Sequence, residues 1–186
     1  MEKAITNLRR AKLLTPIGID RIPTAKLAKM IRPTGYFRQK AKKLKAFVAF
    51  LRKDFAGSVQ RFCETPTEPL RGMLLDVYGI GPETADSILL YAAKKPSFVI
   101  DAYTRRVLTR HGNVGESAKY EEMRELFEKN LPRDAQLYNE YHALLVQVGK
   151  NWCRPREARC NECPLGSFLP QGQPLLAIIT SGAARS

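Results

Sequence analysis

Residues Leu74 to Arg106, LLDVYGIGPETADSILLYAAKKPSFVIDAYTRR, decide how the rest of the chain is read. The stretch holds a Gly-Ile-Gly turn at Gly79, Ile80 and Gly81, followed by Pro82 in a position suited to the first turn of a helix. Ala85, Ile88, Leu89 and Ala92 then recur at the spacing of one helical face. Pro96 breaks the run. The apolar triplet Phe98, Val99, Ile100 delivers a single acidic residue, Asp101, and Arg105 and Arg106 follow it. Two glycines around one apolar residue let a backbone turn tightly and approach a ligand closely. Ile80 would plug such a turn into a core. The amides of Gly79 and Gly81 would then stand at a helix N-terminus, where unpaired N–H groups and the helix dipole favour an anion. A tight helix–helix turn with no ligand is the competing reading of the tripeptide.

Composition narrows the partners. A chain of 186 residues makes one or two small domains, and a hydrophobic fraction of 44% suffices for a packed core. The formal charge of +13 points to nucleic acid or another anionic surface, with a merely solvated basic face as the alternative. No apolar run is long enough to span a bilayer, and MEKAITNLRRAK lacks the apolar core of a signal peptide. The expectation is a cytoplasmic protein, nucleoid-associated in a prokaryote. Three of the four cysteines are clustered, which reads as a metal or cluster site rather than a disulfide framework. There is no internal repeat.

Outward from the central stretch, helical periodicity dominates. A first helix is expected from about Lys3 to Leu14, then a loop over Pro16 to Pro23, then a short helix capped by Thr24 that ends before Pro33. After a turn at Gly35, a helix starts near Arg38 with Ala41, Leu44, Phe47, Val48 and Leu51 as its stripe. Arg38, Lys40, Lys42, Lys43 and Lys45 crowd its first turns, where cations oppose the dipole and an external anion would relieve them. Glu64 to Pro69 reads as a loop, and Cys63 before it as a buried apolar cysteine. Further helices are expected over Glu116 to Lys129 and Gln136 to Val148. His142 on the latter reads as structural. No pair of strands is evident, so the fold class is all-α.

Hairpin, aspartate and later cysteines, in this order, resemble the helix-hairpin-helix DNA glycosylase superfamily, in its endonuclease III branch. GIGPETADSILLYA and FVIDAYTRR look like the endonuclease III-related and 3-methyladenine-glycosylase-like members, and the resemblance covers roughly residues 2–165. It implies a helical barrel domain over 1–112, with the hairpin motif at about 70–93, and a smaller helical domain over 113–168 with a cysteine loop at 153–163. Residues 169–186 then form a divergent or disordered tail. The implied partner is double-stranded DNA carrying a damaged base, bound by a monomer with no membrane role. DNA contacts are implied for Gly79, Ile80, Gly81, Glu83, Thr84, Arg38, Lys40 and Arg105. Tyr36 matches the residue that wedges into the DNA stack; an ordinary half-buried tyrosine is the alternative. Family members also carry a helix before the position of Glu2, with a Gln-Asn pair facing the lesion. Against that pattern the expectation is a shortened chain, with lowered stability and activity.

Cys153, Cys160 and Cys163 have the spacing C-x6-C-x2-C, which matches the opening of the family's [4Fe-4S] loop. The family's fourth cysteine comes after five more residues, where this chain has Leu169. Four thiolates normally hold such a cluster. Three readings stay open: a degraded three-ligand site, a cluster with a non-cysteine fourth ligand, and a metal-free or zinc-binding loop. Arg154, Arg156 and Arg159 within the loop suit phosphate contact in each case.

The resemblance also implies chemistry. A glycosylase takes the base out of the duplex before reaching its glycosidic bond, and cleavage develops positive charge on the sugar. One ionised carboxylate can stabilise that charge and orient a water. Asp101 matches the family's catalytic aspartate, although locally it also reads as a helix N-cap. Bifunctional members use a lysine in the hairpin's second helix to form a Schiff base. Glu83 stands at that position, and a carboxylate forms no imine. A monofunctional base excision repair glycosylase is therefore implied. A bifunctional glycosylase and abasic-site lyase, or a non-catalytic DNA-binding remnant, are the alternatives.

Overall fold

The structure, a computed structural model, describes residues 2–175. Among them every regular element is helical, and the only bridge of β type is an isolated antiparallel one between Cys153 and Ala158. The all-α expectation is met. Contacts divide the chain into two compact units, one ending at Ile88 and the other starting at Leu89. The tail expected beyond Leu175 lies outside the described residues.

The first unit contains α1 (Glu2–Arg10), α2 (Pro16–Arg21), α3 (Thr24–Met30), α4 (Phe37–Phe55), α5 (Val59–Glu64), α6 (Thr67–Leu75) and α7 (Pro82–Ser87). Leu8, Ile19, Ile22, Leu27, Ile31 and Val48 are buried together and join α1 to α4. Burying each such side chain contributes about 1.5–3 kcal/mol. Phe47, Phe50, Phe55 and Phe62 make a second cluster, largely edge-to-face, that ties α5 to α4.

Four local expectations need correction here. The segment 16–21 is a helix, not a loop: Thr15 Oγ1 accepts from Gly18 N at 3.0 Å and Pro16 fills the first turn. Six residues are too few to show a period, but the cap and its proline were legible. Thr24 is the first residue of α3 rather than its side-chain cap, a place taken by Pro23 without a cap bond. Cys63 lies within α5, half-buried. The helices α5 and α6 also shorten the expected loop to Thr65 and Pro66.

The second unit opens inside a π turn over Ile88–Ala92, continues as extended chain to Ile100, and then forms α8 (Ala102–Arg110), α9 (Tyr120–Asn130) and α10 (Ala135–Asn151). Its core centres on Phe98, which stacks on Phe127 with centroids 3.8 Å apart and meets Tyr138 edge-on. The extended segment has no partner strand. Side chains of α9 serve its amides instead: Glu128 Oε1 accepts from Phe98 N at 2.9 Å and Tyr120 Oη from Ile100 N at 3.3 Å. Short 3₁₀ turns carry the chain on to Leu175, whose amide donates to Arg110 O at 2.9 Å.

Candidate active site

Asp101 ends the extended segment and caps α8. Its backbone is extended, and its Oδ1 accepts from Thr104 N at 2.8 Å. The capping reading is thus realised with one carboxylate oxygen. The other, Oδ2, faces Nε2 of His142 at 3.6 Å, an ion-pair distance rather than a formed hydrogen bond. The Asp101 side chain is 17% exposed. Partial burial is the largest single influence on its carboxyl and pushes the pKa up. His142 and the Thr104 bonds together outweigh that push and hold it below the ordinary aspartate value.

His142, read from sequence as structural, is the residue that the fold brings against Asp101. Its Nδ1 is 2.6 Å from the hydroxyl of Tyr91. Tyr91 stands in the π turn, and its pKa is raised, by burial first and by the Asp101 charge second. A histidine forty-one positions beyond Asp101 carries no signal along the chain; only folding brings α10 against the head of α8.

The hairpin belongs to the first unit. Gly79 has φ +80 and Ile80 is buried, as the plug reading requires. Gly81 precedes Pro82 with extended backbone, and a Cβ there would meet nothing within 4 Å. Glu83 and Thr84 are exposed on the first turn of α7. Behind the turn, Arg71 Nε and Nη2 grip Asp86 Oδ1 and Oδ2 at 2.7 and 3.0 Å, both side chains buried.

Tyr36 is 88% exposed, which removes the half-buried alternative. It takes a left-handed conformation, φ 44, directly after Gly35 at φ 64. A bulky residue there is an outlier, held in place by its surroundings. Lys40 Nζ secures the turn by donating to Thr34 O at 2.6 Å. Arg38 lines a cavity of about 570 Å³ with Lys29, Arg32 and Lys42. Arg105 is engaged within the protein, donating to Ala118 O at 2.8 Å.

Cys153, Cys160 and Cys163 line one small cavity of about 10 Å³ with Arg110, His111 and Leu169. Burial pushes the Cys160 thiol up, and its two neighbouring cysteines add to the push. Arg110 Nη1 lies 3.4 Å from Cys153 Sγ. Leu169 offers no donor, and among the described residues no group of three or more His, Cys, Asp or Glu side chains is arranged to hold a metal ion. The donors present do not fit a four-thiolate cluster. No helix among the described residues is long and apolar enough to cross a membrane.

Comparison with known proteins places this geometry. The model of the HhH-GPD superfamily base excision DNA repair protein matches residues 1–133. A Methanocaldococcus jannaschii protein, provisionally named a DNA repair glycosylase, is 45% identical over 170 residues, covering 90% of this chain and 76% of its own. The Helicobacter pylori 3-methyladenine DNA glycosylase bound to 1,N6-ethenoadenine superposes with a TM-score of 0.69 at 32% identity, covering 80% of this chain and 75% of that one. A trapped endonuclease III–DNA covalent intermediate superposes with a TM-score of 0.74 at 24% identity, covering 90% and 74%, and shows likeness of fold.

Proposed function

Because this chain belongs to the HhH-GPD superfamily of base excision DNA repair proteins, we propose that it is a monofunctional DNA N-glycosylase in which Asp101 drives release of a damaged base. The observation that carries the reading is the state of Asp101. It is held at a helix start with one oxygen committed to Thr104 N, the other facing His142 Nε2 at 3.6 Å, and its carboxyl kept ionised. Such a carboxylate stabilises a cationic sugar and orients an attacking water. Damaged double-stranded DNA is the substrate. Gly79 to Gly81, Glu83 and Thr84 would meet the phosphate backbone, with Arg38, Lys40 and Arg105 supporting it, and exposed Tyr36 would fill the gap left by the flipped base.

Glu83 bears on mechanism. It stands where bifunctional relatives, by the resemblance, carry the Schiff-base lysine, so water rather than an amine is the nucleophile. No step is assigned to an iron–sulfur cluster. The three loop cysteines lack a fourth thiolate partner at Leu169, and the loop's role in this reading is to present Arg154, Arg156 and Arg159.

The test is single-turnover base release from duplexes carrying 1,N6-ethenoadenine, 3-methyladenine or an oxidised pyrimidine. Asp101→Asn should lower the rate about 10²–10³-fold, roughly 3–4 kcal/mol, while duplex affinity holds. Asparagine caps helices about as well as aspartate, so the variant should fold. Near-normal turnover would leave Asp101 a cap only. Borohydride should trap no covalent complex on any of these duplexes; efficient trapping would make the enzyme a lyase.

A further inference from the structure

We propose that Tyr91 and His142 are positioning residues, a two-member relay that aims Asp101 and fixes its partner proton on Nε2 of His142. The proposal rests on the glycosylase role of Asp101 and concerns how that carboxylate is held.

Nε2 of His142 is buried without a hydrogen-bond partner, and it points at Oδ2 of Asp101 from 3.6 Å. Nδ1 lies 2.6 Å from Oη of Tyr91. A neutral imidazole carries one N–H. Were it on Nδ1, the bare lone pair of Nε2 would face a carboxylate oxygen, an unfavourable pairing. With the proton on Nε2, the phenol donates to Nδ1 and the imidazole N–H faces the carboxylate. The phenol is able to donate because burial and then the Asp101 charge keep it protonated. The distance of 3.6 Å is long for a hydrogen bond, and contacts of this kind tighten when a site is loaded.

The backbone supports the same assignment. Tyr91 reaches His142 from a π turn, a rare winding that recurs at functional sites. The turn is followed by Lys94 in a left-handed conformation, φ 55, a second departure from regular geometry within three residues. Tyr91 and Asp101 are the titratable groups that face His142. The other tyrosines of α10 point elsewhere: Tyr138 meets Phe98, and Tyr141 meets Phe98 and Phe127. With Thr104 N on Oδ1 and His142 on Oδ2, both oxygens of Asp101 are aimed.

Two measurements on the full chain test this. The first is imidazole nitrogen NMR, with His111→Gln assigning the two histidines. His142 should show the Nε2–H tautomer in the wild type, and Tyr91→Phe should dissolve that preference. An Nδ1–H tautomer, or no response to Tyr91→Phe, overturns the relay. The second is single-turnover base release from the 1,N6-ethenoadenine duplex and from an oxidised-pyrimidine duplex. Tyr91→Phe and His142→Ala should slow release about 10–100-fold, by analogy with loss of a partner that orients a metal ligand, with duplex affinity unchanged. His142→Gln, which keeps a donor, should recover part of the loss. The acid limb also moves. His142 helps hold the Asp101 pKa down, so His142→Ala should shift the fall in activity to higher pH. Wild-type rate and limb in both variants, beside an inert Asp101→Asn, would overturn the relay and leave the glycosylase reading standing. If Asp101→Asn keeps turnover, or the wild type releases no base, that reading falls and the NMR result alone decides the relay.

Discussion

Arg71 and Asp86 show what a single pair does in this fold. The guanidinium of α6 meets the carboxylate of α7 through two hydrogen bonds, with Asp86 wholly buried. Two charges out of water are expensive to hold, so the pair adds little net stability over apolar residues of the same shape. Removing one partner is different, because the buried arginine then loses both bonds to the carboxylate. Asp86→Ala should therefore cost about 3–5 kcal/mol in urea unfolding, and a double change to Arg71→Met with Asp86→Leu should recover most of it. A loss below about 1 kcal/mol in the single variant would mean that water or another group compensates the arginine. Neither residue stood out in the sequence: a lone Arg and a lone Asp fifteen positions apart look like solvated charges until two helices close on them.

At the scale of elements, the hairpin separates its two glycines by task. Gly79 is needed by the backbone: φ is +80, and a Cβ there would stand 2.5 Å from the Lys43 stem. Gly81 is not, since its φ is −99 and the space before it is open. Gly79→Ala should lower stability by about 1 kcal/mol or more. Gly81→Ala should leave the melting temperature in place and weaken duplex binding, because the methyl would occupy space that a phosphate needs. Equal effects of the two changes on melting would refute this division. The hairpin was legible because its signals are local: glycine, proline, then a helical period. The same holds for α4, α9 and α10, whose apolar stripes matched the helices found, with boundaries moved by a few residues. What escaped was set by tertiary contact. The helix α2 is too short to repeat. The half-exposure of Cys63 depends on neighbours. The link from Asp101 to His142 spans forty-one residues and three elements, so only the aspartate end of it was readable.

For the whole molecule, the formal charge of +13 sets how it meets DNA. If about 4–6 phosphates are neutralised, log K against log salt should slope near −4 to −5; a flat dependence measured by fluorescence anisotropy would exclude electrostatic binding. Not every cation contributes. Arg106 donates to Cys153 O at 2.6 Å and Gly149 O at 3.0 Å, and Arg110 to Arg154 O at 2.6 Å and Pro155 O at 2.9 Å. These two arginines of α8 are spent on the start of the cysteine loop. That end of the loop is thereby held through its backbone carbonyls. In mechanical terms the two side chains act as a clamp, and the first residues of the loop are tied to α8.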